Sequence, residues 1–282
     1  MGVLAVSAAA VMIRLADAPA LAVAFWRCAL GVVVLLPTAL VRRERFPKGR
    51  ALYVGIASGA ALGAHFGFWI SSLDYTSVAA SVVLVSNTPV FVAIFAYLLF
   101  GEKTTPLSFA GILVALGGTV VIAQDGSAGS AAVLGNVLAL LGALTFTVYV
   151  LIGRSQRSGE EPVGFLPYSI VLYTAAAATL LPVALLSGDR ILGYAGETWL
   201  WLWAITLGPQ ILGHTVFNWA LRYVEASVIS GTVLVEPAIA ALLAWLVLSE
   251  RPGTATLAGG AVVLVGIFLL LKGRRSGPQA EP

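Results

Sequence analysis

Apolar stretches of about 18 to 24 residues follow one another through this sequence almost without a polar break, and each matches the ~20 residues that a helix needs to cross ~30 Å of hydrocarbon. Inside lipid every backbone N–H and C=O must be satisfied within the protein, so runs of this kind have to be helices. A transmembrane barrel would need short segments that alternate apolar with polar, whereas Ala238 to Leu248 and Ala261 to Leu271 are apolar on every face. A water-soluble fold is excluded on composition: 59% of the 282 residues are hydrophobic and 10% charged, with a mean hydropathy of +0.97. The sole cysteine, Cys28, lies in an apolar segment, which leaves no internal disulfide and no CxxC-type metal or redox site.

The polar breaks predict an all-α integral membrane protein with ten transmembrane helices, near 2–15, 19–40, 51–73, 77–100, 106–123, 131–153, 163–186, 198–221, 226–248 and 255–272. The first begins too close to Met1 to be a cleaved leader and is short for a span; either the chain starts upstream or the helix leans and thins the bilayer. With the amino terminus inside, the even-numbered connections and the tail hold Arg42, Arg43, Arg45, Lys48, Arg50, Lys103, Arg154, Arg157, Arg222, Lys272, Arg274 and Arg275. The other face keeps Arg14, Arg190 and Arg251, with Arg27 a few residues into the second segment. This asymmetry places both termini in the cytoplasm of a cell whose plasma or inner membrane the chain spans. Basic residues scattered between helices in this way do not form a nucleic-acid footprint, despite the net charge of +3.

The sequence repeats itself. An offset of 148 aligns Tyr75 with Tyr223, Pro89 with Pro237, Ala93 with Ala241, Glu102 with Glu250, Gly111 with Gly259 and Gly118 with Gly266. Just upstream, an offset of 150 aligns Leu62, Gly63 and Trp69 with Leu212, Gly213 and Trp219. Five helices per copy is an odd number, so the copies, 1–124 and 131–275, are expected to run through the membrane in opposite senses as two inverted five-helix repeats. Inverted copies enclose a site near the midplane, and exchanging their conformations opens it to alternate sides.

Several stretches carry a resemblance: "RLADAPALAVAFWR" at 14–27, "HFGFWISSLDYTSVAASVVLVSNTPVFVA" at 65–93, "GEKTTPLSFAGILVALGG" at 101–118, and their counterparts at 212–251 and 257–266. In order, spacing and duplication they are similar to the drug/metabolite transporter superfamily, specifically its EamA-type permeases. The resemblance implies ten helices, both termini inside, no nucleotide-hydrolysing domain, and export or exchange of amino acids, related metabolites or drugs; no cofactor is expected. It does not name the solute.

Strongly polar side chains inside a span are costly and are functional candidates by default. Near mid-span lie His65, Asn87, Gln210, His214, Asn218 and Glu236, and repeat equivalence adds Trp69 and Trp219; these eight are the expected substrate site. The two histidines fit a cavity role or a neutral imidazole bonded to a neighbouring helix. Glu236, the one carboxylate expected near mid-membrane, is the candidate for coupling to protons, or else a structural residue holding a broken helix. Pro89 and Pro237 are expected to interrupt their helices as hinges or cavity walls.

Arg27 is expected near the outer interface, as a snorkelling anchor, a partner for Asp17, or a receptor for a substrate carboxylate. With neither Arg nor Lys expected in the central zone, a multiply charged phosphate ester is disfavoured as substrate. Glu102 and Glu250 read as interfacial residues, and Gly117-Gly118 and Gly259-Gly260 permit close helix packing within one chain or between two, leaving monomer and homodimer both open. A membrane-embedded enzyme would need a nucleophile with its base or an activated metal-bound water, and no such constellation is visible; no metal site is expected. A receptor or scaffold would usually announce itself by a soluble appendage, whereas the longest expected loop is only about ten residues.

Overall fold

Every regular element among the described residues is helical. The structure, a computed structural model, describes residues 2–101, 105–123, 129–157, 164–215 and 235–273. The short first segment forms α1 (Gly2–Ser7) and α2 (Ala9–Leu15), which run nearly continuously through Ala8, since the Ala8 N–H still donates to the Leu4 carbonyl at 3.2 Å and its own carbonyl accepts from Met12 at 3.0 Å. After Pro19 come α3 (Ala20–Val41) and α4 (Gly49–Ser72).

The fourth expected segment is interrupted where proline predicts it. Here α5 (Val78–Val85), started by the Ser77 hydroxyl accepting from the Ala80 N–H at 3.1 Å, stops at Ser86 and Asn87. The chain resumes as α6 (Thr88–Phe100), with Pro89 in the first turn, where its missing N–H costs no helical bond. Then follow α7 (Pro106–Ala123), α8 (Gly129–Arg157) and α9 (Phe165–Leu186).

The eighth expected segment differs from expectation. An α-helix, α10 (Gly196–Ile205), gives way to a π-helical stretch over Thr206–Thr215. Pro209 sits inside that stretch, and a proline there can neither donate to the preceding turn nor fit beneath it, so the ladder widens. The Thr206 hydroxyl, bonded back to the Leu202 carbonyl at 2.9 Å, marks the switch. The last elements are α11 (Glu236–Leu248), which begins with Pro237 in its first turn, and α12 (Thr254–Gly273).

Six helices among the described residues are long and apolar enough to cross a membrane, and Leu4–Leu15, Pro106–Ile122 and Glu236–Leu248 are shorter apolar helices. Large apolar side chains such as Leu98, Leu200 and Leu246 face outward, which suits lipid rather than water.

Packing divides into two apolar clusters. The larger joins α2, α3, α4, α9 and α10 around residues such as Val23, Leu62, Ile70, Leu180 and Leu202. In the smaller, α5, α7 and α12 meet through Leu84, Ile112, Ile122, Val263 and Leu270.

Between α7 and α12 the backbones touch. A Cβ on Gly118 would stand 2.6 Å from the Gly259 carbonyl oxygen, and one on Gly259 would stand 2.8 Å from that of Gly118. Likewise a Cβ on Gly111 would lie 2.6 Å from the Gly266 oxygen, and one on Gly266 would lie 2.7 Å from that of Gly111. Gly118 and Gly259 therefore serve packing within the chain.

Candidate functional site

Arg27 corrects the sequence expectation most. It is the eighth residue of α3, about 10 Å along the axis at 1.5 Å per residue, and its side chain turns inward rather than snorkelling outward. The residue is 0% exposed. Its Nε donates to Gln210 Oε1 at 2.8 Å, while Gln210 Nε2 donates to the Arg27 carbonyl at 2.9 Å, so the two residues clasp each other through paired hydrogen bonds. The guanidinium carbon lies 3.9 Å above the centre of the Phe66 ring, a cation–π contact. A cation thus reaches a residue of the expected central set, and the ground for disfavouring phosphate esters, a centre without arginine, no longer holds.

Local sequence explains the clasp. One turn after Arg27 stands Gly31, and a Cβ there would come within 2.6 Å of Gln210 Nε2, so α3 leaves room for the amide. Gln210 directly follows Pro209, inside the π-helical stretch that sets its position.

His65 and Trp69 stand together on α4. The His65 Nδ1 donates to the Gly142 carbonyl of α8 at 2.9 Å, the geometry of an imidazole tying two helices. Its ring stacks on Trp69 at 6.0 Å and 6°, and packs against Phe66 at 5.0 Å and Phe146 at 4.8 Å. The Trp69 indole Nε1 is buried without a hydrogen-bond partner among the described residues. One helical turn of sequence pattern, His65-Phe66-x-x-Trp69, thereby continues the aromatic wall on which the Arg27 guanidinium rests.

Asn87 lies in the break between α5 and α6. Its amide nitrogen donates to the Leu84 carbonyl at 3.2 Å and leaves Oδ1 buried and unpaired among the described residues. Glu236 is the first residue of α11, half-buried, at a helix start where backbone N–H groups lack helical acceptors. His214 falls in the π-helical stretch, and its side chain, like Asn218 and Trp219, lies outside the described residues, as does Glu102. The structure thus brings Arg27, His65, Phe66, Trp69 and Gln210 into one contiguous set. It shows no hydrogen bond or ion pair from that set to Asn87 or Glu236 among the described residues.

A model of the EamA-like transporter family matches residues 1–124 and again 133–272. The chain belongs to the EamA-like transporter family. Among curated relatives of this EamA-type chain, a protein of Archaeoglobus fulgidus described as an uncharacterized transporter is 25% identical over 252 residues, covering 87% of this chain and 86% of that one. The pseudopaline exporter CntI of Pseudomonas aeruginosa is 26% identical over 263 residues, covering 92% and 89%. A solved crystal structure superposes with a TM-score of 0.65 at 21% identity, over 95% of this chain and 93% of its own, which shows a shared fold. The EamA-type transporter is accordingly a multi-pass membrane protein.

A second polar cluster of this transporter lies at the end of the bundle where α2 stops. Arg14 donates to the Leu73 carbonyl and approaches Glu250 at 3.8 Å, and Glu250 Oε1 accepts the Val78 N–H, the start of α5, at 2.6 Å. Glu250, expected as an interfacial residue, therefore joins the ends of α2, α5 and α11. Beside it is a cavity of about 380 Å³ lined by Ile13, Arg14, Asp17, Ala18, Pro19, Ala20 and Asp74. Partial desolvation holds the Asp74 carboxyl above its ordinary range; Arg14 opposes this and Asp189 adds to it.

Proposed function

We propose that this protein is a secondary exporter or exchanger of a small organic solute, such as an amino acid, a related metabolite or a drug. It works by alternating access between two inverted five-helix repeats, 1–124 and 131–275, that together make ten transmembrane helices. The observation that carries this reading is irregular backbone beside polar and aromatic residues of the interior: the π-helical stretch that holds Gln210 against Arg27, and the α5–α6 break at Asn87. Irregular backbone at membrane depth is tolerated where it is buried in protein or lines a cavity, and transporters bind substrate at such places.

Other features support the inverted repeat. Gly111 meets Gly266 while Gly118 meets Gly259, the reciprocal exchange expected of a two-fold pair when Gly111 is equivalent to Gly259 and Gly118 to Gly266. Helices α3 and α9, both 22 residues long, each carry a proline four residues before the end, Pro37 and Pro182. At the equivalent positions Gly101 and Ser249, α6 and α11 both end in a left-handed residue. Export as the direction is supported by the name of the Pseudomonas relative.

Both termini face the cytoplasm, Pro89 and Pro237 act as hinges, and Glu236 couples substrate to protons by binding one or the other. The test is comparison of the medium around cells with and without the protein, by mass spectrometry of small solutes. At least one solute accumulates outside only when the protein is present; identical media would overturn transport. Glu236→Gln keeps hydrogen-bonding capacity and removes titration, so it abolishes the dependence of export on the pH gradient. A variant with the wild-type rate and pH dependence would make Glu236 structural.

A further inference from the structure

We infer that Arg27 is the receptor for a carboxylate of the transported solute, oriented by Gln210 and backed by the Phe66–His65–Trp69 aromatic wall. The inference rests on the transport reading and narrows it to a substrate class: solutes that present a carboxylate beside an apolar or planar body.

Of the five N–H donors of a guanidinium, the structure engages the one on Nε, through Gln210, and one face, through Phe66. Nη1 and Nη2 are buried and have no hydrogen-bond partner among the described residues. No carboxylate among the described residues pairs with Arg27; the acidic partner that Arg14 finds in Glu250 has no counterpart here. A buried cation with its outer edge unmet is a costly arrangement that folded proteins rarely keep for its own sake.

The geometry of what is left open, with one positive charge, points to a singly charged group bearing two coplanar oxygens. With Nε taken, the free edge is the Nη1–Nη2 fork, whose parallel donors match the two oxygens of a carboxylate end-on. Gln210 cannot neutralise the charge, because its amide is neutral, but it fixes the plane of the fork and ties it to the α3 backbone through the return bond at 2.9 Å. The other orphaned donor nearby is also of the kind that seeks an acceptor: the Trp69 indole N–H, one helical turn along α4 from Phe66. Beside these donors, Phe66, His65, Trp69 and Phe146 offer ring faces and edges to an apolar or planar body.

In this conformation the fork is closed off from solvent. Gln210 rides on the π-helical stretch, the irregular element across from α3, so displacement of that stretch uncovers the fork, and an arriving carboxylate supplies the missing charge. The cation then acts as a gauge of occupancy: an empty occluded site holds an unpaired charge, and a loaded one does not. That difference favours closure with substrate aboard, as a carrier requires.

The test starts from the solutes whose appearance in the medium depends on the wild-type protein. Each is expected to carry a free carboxylate, and the methyl ester or carboxamide of the same solute is expected neither to be exported nor to compete. Arg27→Gln is expected to lose about tenfold to hundredfold of export of the acid, as loss of a charged hydrogen-bonding partner implies, with Arg27→Lys partly active. Gln210→Glu separates anchoring from a structural role, because it gives Arg27 a permanent counter-charge. The variant is expected to keep the wild-type melting temperature in detergent and to lose export. Dependent solutes that lack a carboxylate, an ester exported as well as its acid, or a Gln210→Glu variant that exports normally would each overturn the assignment while leaving transport intact. The ester comparison uses wild-type protein alone, so it decides the matter even where Arg27 variants do not fold. If no solute depends on the protein, transport itself fails, and the assignment with it.

Discussion

Asp74 shows how a single ionisable residue writes itself into stability. Its carboxyl sits at the cavity near Arg14 and Asp17, and desolvation with the nearby Asp189 holds its folded pKa above the ordinary value of about 3.9. Between the unfolded and folded values the native state holds more protons than the unfolded one, so stability falls as pH rises through that window. Asp74→Asn removes the titration. The variant is expected to melt higher than wild type at neutral pH and to converge with it towards pH 4, read as melting temperature against pH in detergent; parallel curves would refute the assignment. Arg27 marks the limit of reading at this scale. Sequence placed it eight residues into a helix near a membrane boundary, from which a long side chain can turn outward to water or inward to protein with equal ease. Only the position of Gln210 decides between them, and no pattern in the sequence joins residues 27 and 210. His65 and Trp69, spaced for one face of α4, were legible as a pair, but the carbonyl that His65 seeks belongs to Gly142 on another helix.

At the scale of elements, the approach of α7 to α12 depends on the absence of side chains. Gly118→Val places a Cβ 2.6 Å from the Gly259 oxygen and near the Val263 amide, so the helices must separate. The expected loss is about 1–3 kcal/mol, typical of overpacking a close contact. Gly117, one residue earlier, has nothing within 4 Å of its Cβ position, so Gly117→Val is the control and is expected to melt within a degree or two of wild type, since small surface changes cost little. Equal melting temperatures for the two variants would show that the contact is not tight. These glycines were visible in the sequence as repeat-equivalent pairs, and so were Pro89 and Pro237, which start α6 and α11. The π-helical stretch was not. Pro209 lies among apolar residues that read equally well as continuous α-helix, and whether a proline ends, kinks or widens a helix depends on which neighbours take up the freed carbonyls.

For the whole molecule, the structure sorts the connections into two ends and leaves the charge pattern to say which end is inside. Arg14, Leu73, Val78 and Glu250 meet at one end. At the other, Glu44 lies against Gly164, and the Thr105 hydroxyl donates to the Gly273 carbonyl at 2.8 Å. Helix α3 joins the two, and its 22 residues span about 33 Å at 1.5 Å per residue, the thickness of the hydrocarbon core. The second end carries Arg42, Arg43, Arg45 and Lys48, and Lys272 closes α12 there; short loops rich in Lys and Arg stay in the cytoplasm. With the arginine-rich end inside, as proposed, the Arg14–Glu250 cluster and the 380 Å³ cavity beside Asp74 are expected to face outward. A Cys28→Ala background removes the one native thiol, which is buried. Single cysteines at Lys48 and at Asp189 in that background are expected to behave oppositely towards an impermeant maleimide applied to intact cells. Asp189→Cys labels at once, and Lys48→Cys only after permeabilisation. The reverse pattern would invert the molecule and open the Asp74 cavity to the cytoplasm. Labelling of both from outside would break the single bundle into a different topology, because α3 cannot place both of its ends on one side of a bilayer.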